Sequence, residues 1–312
     1  MELIRGLAGL KPRHRGCVAS IGNYDGVHLG HQQVLKELAA RARQLKLPAT
    51  VVVFEPMPAE YLAPAAAPAR LMTFREKFQA LAECGVDRLL CLRFNAALAA
   101  MTAAEFIECV LIRGLGVRYL VVGDDFRFGH GRGGDFSTLQ AAGADYGFTM
   151  QGLSGVLRAG ARISSTRIRE YLAAGQMEQA AELLGVPYSL SGRVMYGEQL
   201  GRTLGFPTAN IALKRGVSSV RGIFAAAVHG IDGAAHYGAA YVGERPAVNG
   251  KETHLEIYVF DFSGELYGRH LQVELLHQLR GDAQFASLEA LKAQMARDVA
   301  AARAWLKQQA LV

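Results

Sequence analysis

Apolar residues in the first part of the chain alternate between short β-branched runs and longer segments with helical spacing. The strand-like runs lie at residues 17–21, 50–54, 88–92 and 119–122. Between the first two runs, one helical face carries Val34, Leu35, Leu38, Ala42 and Leu45. This strand–helix–strand order predicts a parallel sheet that is covered by helices on both faces. Ligands of such sheets bind beyond the carboxyl ends of the strands, so the loops at those ends are the first candidate sites.

The pattern changes after Pro187. Shorter alternating runs lie at residues 188–194, 223–228, 255–260 and 271–275, with Gly, Asp and Asn between them. They predict an antiparallel sheet or a small barrel. A terminal helix is predicted to begin at Ser287, with an apolar stripe formed by Leu288, Leu291, Met295, Val299, Ala302 and Leu306. Gly185 and Pro187 favour a boundary between two domains, 1–185 and 186–312.

Composition narrows the class of protein. Of 312 residues, 51% are apolar, which excludes general disorder. The net charge of +6 is dispersed, so it fits a protein that handles small anions and does not require nucleic acid. The four cysteines form no CxxC pair and are expected to be reduced thiols of a cytoplasmic protein. No stretch reaches the ~20 apolar residues of a membrane span, and the first residues show no secretion signal.

Residues 20–31, SIGNYDGVHLGH, follow a predicted strand and precede a predicted helix. Gly22, Gly26 and Gly30 allow a close backbone approach, and the helix N-terminus favours phosphate. His28 and His31 share one face of the first turn, where two imidazoles can donate hydrogen bonds to a triphosphate. Half of a zinc site, or two surface histidines, are the alternatives for this pair taken alone.

The segment resembles the HxGH signature of nucleotidyltransferases, and the string GNYDGVHLGH resembles the FAD synthetase half of bacterial bifunctional riboflavin kinase/FMN adenylyltransferases. Tyr24 stands where that family more often has Phe. The resemblance implies a Rossmann-like nucleotidyltransferase domain with His28 and His31 as catalytic residues. It also implies an ATP site that includes Gly22, Asn23, Asp25 and Gly30.

Three further segments resemble the same family. Residues 54–60, FEPMPAE, and 122–129, VGDDFRFG, resemble its flavin-side motifs. These imply flavin contacts from Phe54, Pro56, Asp124, Asp125, Phe126 and Arg127. Residues 163–169, ISSTRIR, resemble the segment that closes on the triphosphate, which implies ATP contacts from Ser164, Ser165, Thr166 and Arg167. Hydroxyls and free N–H groups at a helix start suit phosphate oxygens, and Arg167 adds a fixed positive charge. Taken alone, the last segment is an ordinary N-cap and amphipathic helix.

In the second half, residues 201–211, GRTLGFPTANI, resemble the signature of riboflavin kinases. The resemblance implies an ATP and flavin site that includes Gly201, Gly205, Phe206, Pro207 and Arg280. Thr208 and Asn210 offer uncharged oxygens that suit Mg²⁺ shared with ATP phosphates. Without the resemblance, a plain turn is the simpler interpretation of this segment.

Glu256 lies in an alternating strand. Alternation places Leu255, Ile257 and Val259 on one face, and His254, Glu256, Tyr258 and Phe260 on the other. The resemblance implies that Glu256 is the general base for the riboflavin 5′-hydroxyl. Tyr241 and Ala247 depart from the family, which more often has Asn and Thr at these places.

We therefore expect an enzyme that phosphorylates riboflavin with MgATP in its second half and adenylylates FMN in its first half. Its partners would be ATP, riboflavin and FMN, with no nucleic acid or membrane, and a weak homo-oligomer is left open. Two alternatives remain at this point. One is an enzyme that is active in only one half, and the other is a flavin-responsive, nucleic-acid-binding regulator that retains the fold.

Overall fold

A computed structural model describes residues 1–158, 160–197, 200–213, 217–247 and 250–312. The side chain of Ala247, one of the two departures from the family pattern, lies outside the described part. The chain packs as two units. The first comprises Met1–Pro68 and Phe74–Ser164, and the second comprises Ala69–Thr73 and Ser165–Val312.

The first unit contains a parallel sheet with the strand order β1-β4-β3-β2-β5-β6. Its strands are β1 (Glu2–Arg5), β2 (Cys17–Ile21), β3 (Ala49–Glu55), β4 (Arg88–Arg93), β5 (Val117–Gly123) and β6 (Thr149–Leu153). The four predicted runs are the central strands, and their side chains are almost fully buried. The sequence pattern missed the two edge strands, β1 and β6, because their exposed sides interrupt the apolar run.

Helices cover this sheet. They are α1 (Leu29–Leu45), α2 (Pro58–Leu62), α3 (Phe74–Glu83), α4 (Ala96–Ala100), α5 (Ala103–Phe106) and α6 (Phe136–Tyr146). Thr102 and Glu105 cap α5 reciprocally, as their spacing predicts. The same cap and the apolar residues after it predict an α-helix through Ile112. In the structure, however, the helix widens into a π-helix over Ile107–Leu115. Two hairpin strands, β7 (Leu157–Arg158) and β8 (Ala161–Arg162), complete the unit.

The strand order reverses direction at β2, which pairs with β3 on one side and with β5 on the other. Because the strands are parallel, the loops after Ile21, Glu55 and Gly123 leave the same edge of the sheet. The crevice between these loops is the place where ligands of open α/β sheets bind. Three of the segments that the family resemblance assigns to ATP or flavin begin at this edge. They are residues 20–31, 54–60 and 122–129.

The second unit is built around a closed antiparallel barrel with the order β10-β13-β12-β11-β14-β9. Its strands are β9 (Tyr188–Met195), β10 (Ala209–Ala212), β11 (Gly222–His229), β12 (His236–Ala247), β13 (Gly250–Val259) and β14 (His270–Arg280). Its helices are α7 (Ser165–Ala173), α8 (Met177–Leu184), α9 (Leu200–Thr203) and α10 (Leu288–Gln308). The predicted runs match four strands. The pattern missed β10, which is short, and β12, whose middle is interrupted by small residues.

Helix α10 packs against the outside of the barrel. Ser287 accepts a hydrogen bond from the Ala290 N–H, which confirms the predicted N-cap. Ala302 and Leu306 are buried with Phe260 in a cluster that Trp305 borders. The predicted fold, a parallel α/β domain followed by a small barrel with a terminal helix, is confirmed. The boundary at Gly185 stays a prediction, and the packing units divide at Ser164. Among the described helices, none combines the length and the apolar character needed to cross a bilayer.

Candidate active sites

The loop between β2 and α1 is tightly folded at the crevice of the sheet. Tyr24, Gly26 and Val27 adopt left-handed backbone conformations, with φ values of 48°, 85° and 37°. Such values are rare for Tyr and Val, and Tyr24, Asp25, Val27 and His28 are all buried. A backbone that holds non-glycine residues in this region stores strain, which is typical of a functional site.

His28 is the N-cap of α1. Its Nδ1 accepts a hydrogen bond from the His31 N–H at 3.2 Å. Because Nδ1 is the acceptor, a neutral His28 ring carries its proton on Nε2. The His28 and His31 rings stack with centroids 3.6 Å apart and an interplanar angle of 14°. The motif therefore brings both predicted catalytic histidines together and orients the first of them as a donor.

Burial, and then the charges of His28 and Lys77, hold the pKa of His31 well below its usual range. The ring is consequently neutral at physiological pH. Its Nδ1 is buried and has no hydrogen-bond partner among the described residues, whereas the residue as a whole is partly exposed. A buried N–H without an acceptor is the costlier state, so the proton is best placed on Nε2.

Two of the loop glycines lie close against these rings. A Cβ atom at Gly30 would lie 3.2 Å from the His28 ring, and one at Gly22 would lie 3.1 Å from the Tyr24 ring. The Tyr24 hydroxyl lies 2.6 Å from Ser20 Oγ, and Ser20 donates to the Val121 carbonyl. Of the other predicted ATP contacts, Asn23 is exposed and Asp25 is buried.

The predicted flavin side of the crevice is aromatic. Phe54 contacts Phe94 and Phe106 at centroid distances of 6.0 and 6.4 Å, and Phe126 stacks on Phe128 at 5.6 Å. Pro56 follows a cis peptide bond at Glu55, directly after β3. Phe106 and Phe128 belong to the buried core, and the partly exposed rings of Phe54 and Phe126 pack against it. Such partly exposed rings suit contact with a flat heteroaromatic ligand.

The acidic pair after β5 is held by a residue that the sequence analysis did not single out. Arg162 Nη2 lies 2.8 Å from Asp125 Oδ1 and 3.3 Å from Asp124 Oδ1. Arg127 instead pairs with Asp135, at 3.0 Å. Hydrogen bonds from Ser137 and from Thr138 hold the pKa of Asp135 below its usual range. Asp124 and Asp125 at the strand end therefore share one cationic partner, Arg162.

The ISSTRIR segment spans the division between the two units. Ser164 ends the first unit, and Ser165, Thr166 and Arg167 form the first turn of α7 in the second. Arg167 donates to the Tyr171 hydroxyl at 2.9 Å and lies over that ring. The assignment of these four residues to ATP stays a prediction.

The second unit contains a cavity of about 300 Å³ on the outer face of the barrel, under the start of α10. Its polar wall is formed by Thr208, Asn210, Tyr241, Glu256, Arg280 and Asp282. Its apolar wall is formed by Ile223, Ala239, Leu291, Met295 and Val299. The alternation predicted for β13 is confirmed, because Leu255 and Ile257 are buried inside the barrel and Glu256 lines the outer cavity.

Glu256 lies beside both predicted metal ligands. Thr208 Oγ1 donates to Glu256 Oε2 at 3.4 Å, and Asn210 is the register partner of Glu256 across β10 and β13. On its other side, His254 Nε2 lies 3.8 Å from Glu256 Oε1. The set therefore combines a hydroxyl, an amide and a carboxylate, and such oxygen donors suit Mg²⁺ that also binds ATP phosphates. Within the described residues, no group of three or more His, Cys, Asp or Glu side chains forms a cage for a metal.

The signature residues before Thr208 have separate structural roles. Gly201 permits a close turn, because a Cβ atom there would lie 2.5 Å from the Phe206 carbonyl. Gly205 has a φ of 90°, which favours glycine. Phe206 contacts Tyr258 edge-on at 5.7 Å in the cavity wall, whereas Pro207 is exposed.

The cavity wall also contains one ion pair and one hydrogen bond that the sequence did not predict. Arg280 binds Asp298 of α10, and the Tyr241 hydroxyl donates to Asp282 at 3.3 Å. Burial and then Asp282 raise the pKa of Tyr241, which keeps the phenol protonated. No local spacing signals these pairs, since each joins residues from separate elements. Tyr241, one of the two family departures, is thus a wall residue of the cavity.

The two units define the class of an enzyme with two candidate group-transfer sites, one at a helix N-terminus in an α/β sheet and one in a barrel cavity lined by a carboxylate. Residues 10–167 match the FAD synthetase family, and residues 184–306 match the riboflavin kinase family. The chain belongs to the family of bifunctional riboflavin kinase/FMN adenylyltransferases.

Relatives of this family align with nearly the whole chain. A bifunctional riboflavin kinase/FMN adenylyltransferase from Escherichia coli K12 is 49% identical over 304 residues, which cover 97% of each chain. One from Pseudomonas fluorescens is 50% identical over 305 residues and also covers 97% of each chain. A crystal structure from Streptococcus pneumoniae, described as a macrolide-efflux protein, superimposes with a TM-score of 0.81 at 28% identity and covers 97% of this chain and 99% of its own.

Proposed function

We propose that the second unit transfers the γ-phosphoryl group of ATP to riboflavin, and that the first unit transfers AMP from a second ATP to FMN. The observation that carries the kinase assignment is the convergence of Thr208, Asn210 and Glu256 on one cavity with an apolar wall. The ring system of riboflavin fits the apolar wall, and its 5′-hydroxyl would then meet the polar one. This division of labour also follows the order of the two family matches along the chain.

In the kinase step, Glu256 accepts the proton of the riboflavin 5′-hydroxyl as its oxygen attacks the γ-phosphorus and ADP leaves. The Thr208 hydroxyl donates to one carboxylate oxygen of Glu256 and thereby orients the carboxylate in the cavity. Phosphoryl transfer has a loose transition state, so this orientation contributes more than early removal of the proton. Thr208 and Asn210 would hold Mg²⁺, which supplies positive charge to the ATP phosphates when bound.

In the adenylyl step, an FMN phosphate oxygen attacks the α-phosphorus of ATP and pyrophosphate leaves. The phosphate is already ionised, so the site needs no protein base. His28 and His31 donate from Nε2 to the triphosphate as charge moves onto the leaving group. Ser164, Ser165, Thr166 and Arg167 are assigned to the same triphosphate, and the aromatic surface around Phe54 and Phe126 to the flavin.

One incubation tests this function. Purified protein is mixed with riboflavin, ATP and Mg²⁺, and FMN, FAD, ADP and pyrophosphate are followed over time. ADP should appear with FMN, and pyrophosphate should appear later, in equal amount to FAD. A folded sample that converts neither riboflavin nor added FMN would contradict the proposal, and one that converts only one of them would leave a single active half. We place these reactions in the cytoplasm, where ATP and reduced thiols are available.

A further inference from the structure

Tyr241 lies in the middle of a row of side chains that crosses the cavity of the second unit. The strand register aligns one residue from each of five neighbouring strands, in the order Asn210, Glu256, Tyr241, Ile223 and Arg280. All of them line the cavity. Directly opposed side chains are about 4.5–5.5 Å apart at their Cβ atoms, so a ligand that lies along the row meets Tyr241 next after Glu256. Tyr241 therefore separates the proposed base from the apolar Ile223.

The Tyr241 ring has a defined place on this wall. It extends along β12 over Gly243, where a Cβ atom would overlap the Tyr241 hydroxyl oxygen. His254, the register partner of Gly243 on β13, contacts the ring edge-on with centroids 5.3 Å apart. These contacts fix where the hydroxyl group lies.

The hydroxyl group is oriented by Asp282. It donates to Asp282 Oδ1 at 3.3 Å, and Asp282 also lines the cavity. A phenol has one proton to donate, and its oxygen can accept as well. Because the proton points to Asp282, the oxygen is left to act as an acceptor. The wall is therefore suited at this point to a ligand group that donates a hydrogen bond.

Riboflavin carries hydroxyl groups along the chain that joins its ring system to its reactive 5′-hydroxyl. In the proposed binding mode, the ring system packs on the apolar wall and the 5′-hydroxyl reaches Glu256. The 2′-, 3′- and 4′-hydroxyls of this ribityl chain then pass Tyr241, and each can donate a hydrogen bond. A site that hydrogen-bonds a substrate hydroxyl discriminates against an analogue that lacks it.

We infer that Tyr241 is a specificity-determining residue for the ribityl chain. Its phenol oxygen, oriented by Asp282, accepts a hydrogen bond from one of the three secondary hydroxyls. The inference rests on the proposed kinase function of the second unit. It gives a role to a residue at which this chain departs from the pattern of the family.

The test uses the full-length protein and follows FMN formation by steady-state kinetics. Tyr241→Phe removes only the hydroxyl group and retains the ring. The KM for riboflavin should rise about fivefold, which is typical of one neutral hydrogen bond, while kcat stays within about twofold of the wild type. Tyr237→Phe is the matched control, because Tyr237 packs against the cluster around Leu306, and it should leave the KM unchanged.

Flavin analogues show which part of the substrate Tyr241 recognises. Lumiflavin has the same ring system with a methyl group in place of the ribityl chain. As a competitive inhibitor of FMN formation, it should have the same Ki in the wild type and in Tyr241→Phe. With 2′-, 3′- and 4′-deoxyriboflavin, the wild type should show a KM about fivefold higher for one of the three than for riboflavin. Tyr241→Phe should not distinguish that analogue from riboflavin.

Asp282→Ala tests the orientation of the phenol. It releases the proton of Tyr241 but retains the oxygen, so it should raise the KM for riboflavin less than Tyr241→Phe does. When Tyr241→Phe is already present, Asp282→Ala should raise the KM no further, because Asp282 acts through the hydroxyl group.

An unchanged KM for riboflavin in Tyr241→Phe would overturn the inference. So would equal rises in the KM for riboflavin and in the Ki for lumiflavin, since a change in the shape of the wall alone produces that result. If Tyr241→Phe does not fold, the wild type decides through the deoxyriboflavins, and equal KM values for all of them and riboflavin would refute the contact. If wild-type protein forms no FMN, the proposed function fails. Calorimetric titrations of wild type and Tyr241→Phe with riboflavin and lumiflavin then still answer whether Tyr241 binds the ribityl chain.

Discussion

Arg280 at the end of β14 and Asp298 in α10 form a bidentate ion pair, with Nε to Oδ1 at 3.0 Å and Nη2 to Oδ2 at 2.8 Å. Asp298 is nearly buried and accepts a further hydrogen bond from Gln294 at 2.8 Å. The pair lies in the wall of the kinase cavity, to which α10 also contributes Met295 and Val299. The shape of the proposed riboflavin pocket therefore depends on how α10 is attached to the barrel.

Asp298→Asn should weaken this attachment of α10. The variant retains the volume of the side chain but loses a charge-assisted pair, which costs about 1.5–3 kcal/mol for such hydrogen bonds. We expect the KM for riboflavin to rise about tenfold, with a smaller change in kcat, because the apolar wall loosens while Glu256 stays in place. Steady-state kinetics of FMN formation measures this. Gln294→Ala is the matched control and should change KM less, and an unchanged KM in Asp298→Asn would contradict the role given to the pair.

Glu256→Gln should abolish most of the kinase activity and leave the adenylyl transfer intact. Loss of a general base lowers kcat by about 10²–10⁴-fold, whereas Gln retains the shape of the side chain and can still accept from Thr208. The measurement is FMN formation from riboflavin, with conversion of added FMN to FAD as the internal control. FMN formation within tenfold of the wild type would show that Glu256 is not the base.

The sequence predicted those parts of the structure that depend on local patterns. The four central strands of the sheet, the caps at Thr102 and Ser287, and the face of Glu256 follow from periodicity and from short-range hydrogen bonds. The motif spacing also placed His28 beside His31, and the family resemblance assigned Thr208 and Glu256 to the same half of the chain, where the structure brings them into contact. Strand β12 was missed because the Gly and Ala residues in its middle interrupt the alternation of apolar and polar side chains. Its strand character becomes clear only from its pairing with β11 and β13.

The supporting residues could not be predicted, because each acts through a partner that is distant in sequence. Lys77 meets Glu55, Arg162 meets Asp125, and Arg280 meets Asp298 only in the folded chain. An isolated Lys on a helix is normally solvated, so nothing in the sequence alone singled out Lys77. The sequence also suggested that Gly22 and Gly30 make room for a ligand. In the structure, the atoms nearest to a Cβ at these positions belong to the Tyr24 and His28 rings.

Thr208→Val should raise the Mg²⁺ concentration that the kinase requires. The substitution removes a hydroxyl and retains the shape, so the predicted metal loses one oxygen ligand and Glu256 loses its donor. We expect the Mg²⁺ concentration at half-maximal FMN formation to rise about tenfold. Titration of Mg²⁺ at fixed ATP measures this shift. Thr203→Val, at an exposed residue of α9, is the control, and an equal Mg²⁺ requirement in all three proteins would exclude Thr208 as a ligand.

His28→Ala should abolish FAD formation from FMN and leave riboflavin phosphorylation unchanged. It removes a donor to the triphosphate and also the N-cap acceptor of α1, which alone costs about 1 kcal/mol. His28→Asn separates these effects, because Asn caps a helix well but does not present an imidazole N–H. Both variants should therefore lose adenylylation, while hydrogen exchange at the start of α1 should increase only in His28→Ala. Retained FAD formation in His28→Asn would reduce His28 to a structural cap.

The hydrogen-bond chain from Tyr24 through Ser20 to the Val121 carbonyl should show coupling between its two side chains. Burial raises the pKa of Tyr24, so the neutral phenol donates to Ser20, and Ser20 donates across to β5. Tyr24→Phe removes one hydrogen bond and leaves Ser20 satisfied, at a cost of about 1 kcal/mol. Ser20→Ala leaves a buried phenol without its acceptor, which costs about 1–3 kcal/mol.

With Tyr24→Phe already present, Ser20→Ala should therefore cost less than it does alone, and the difference is the interaction energy of the double-mutant cycle. Hydrogen exchange of the β2 and β5 amides is the suitable measurement, because it reports on the first unit separately from the barrel. Tyr24→Phe should retain FMN adenylylation, since the ring that supports His31 remains. Additive effects of the two substitutions would show that the short contact between Tyr24 and Ser20 contributes nothing to the stability of the crevice.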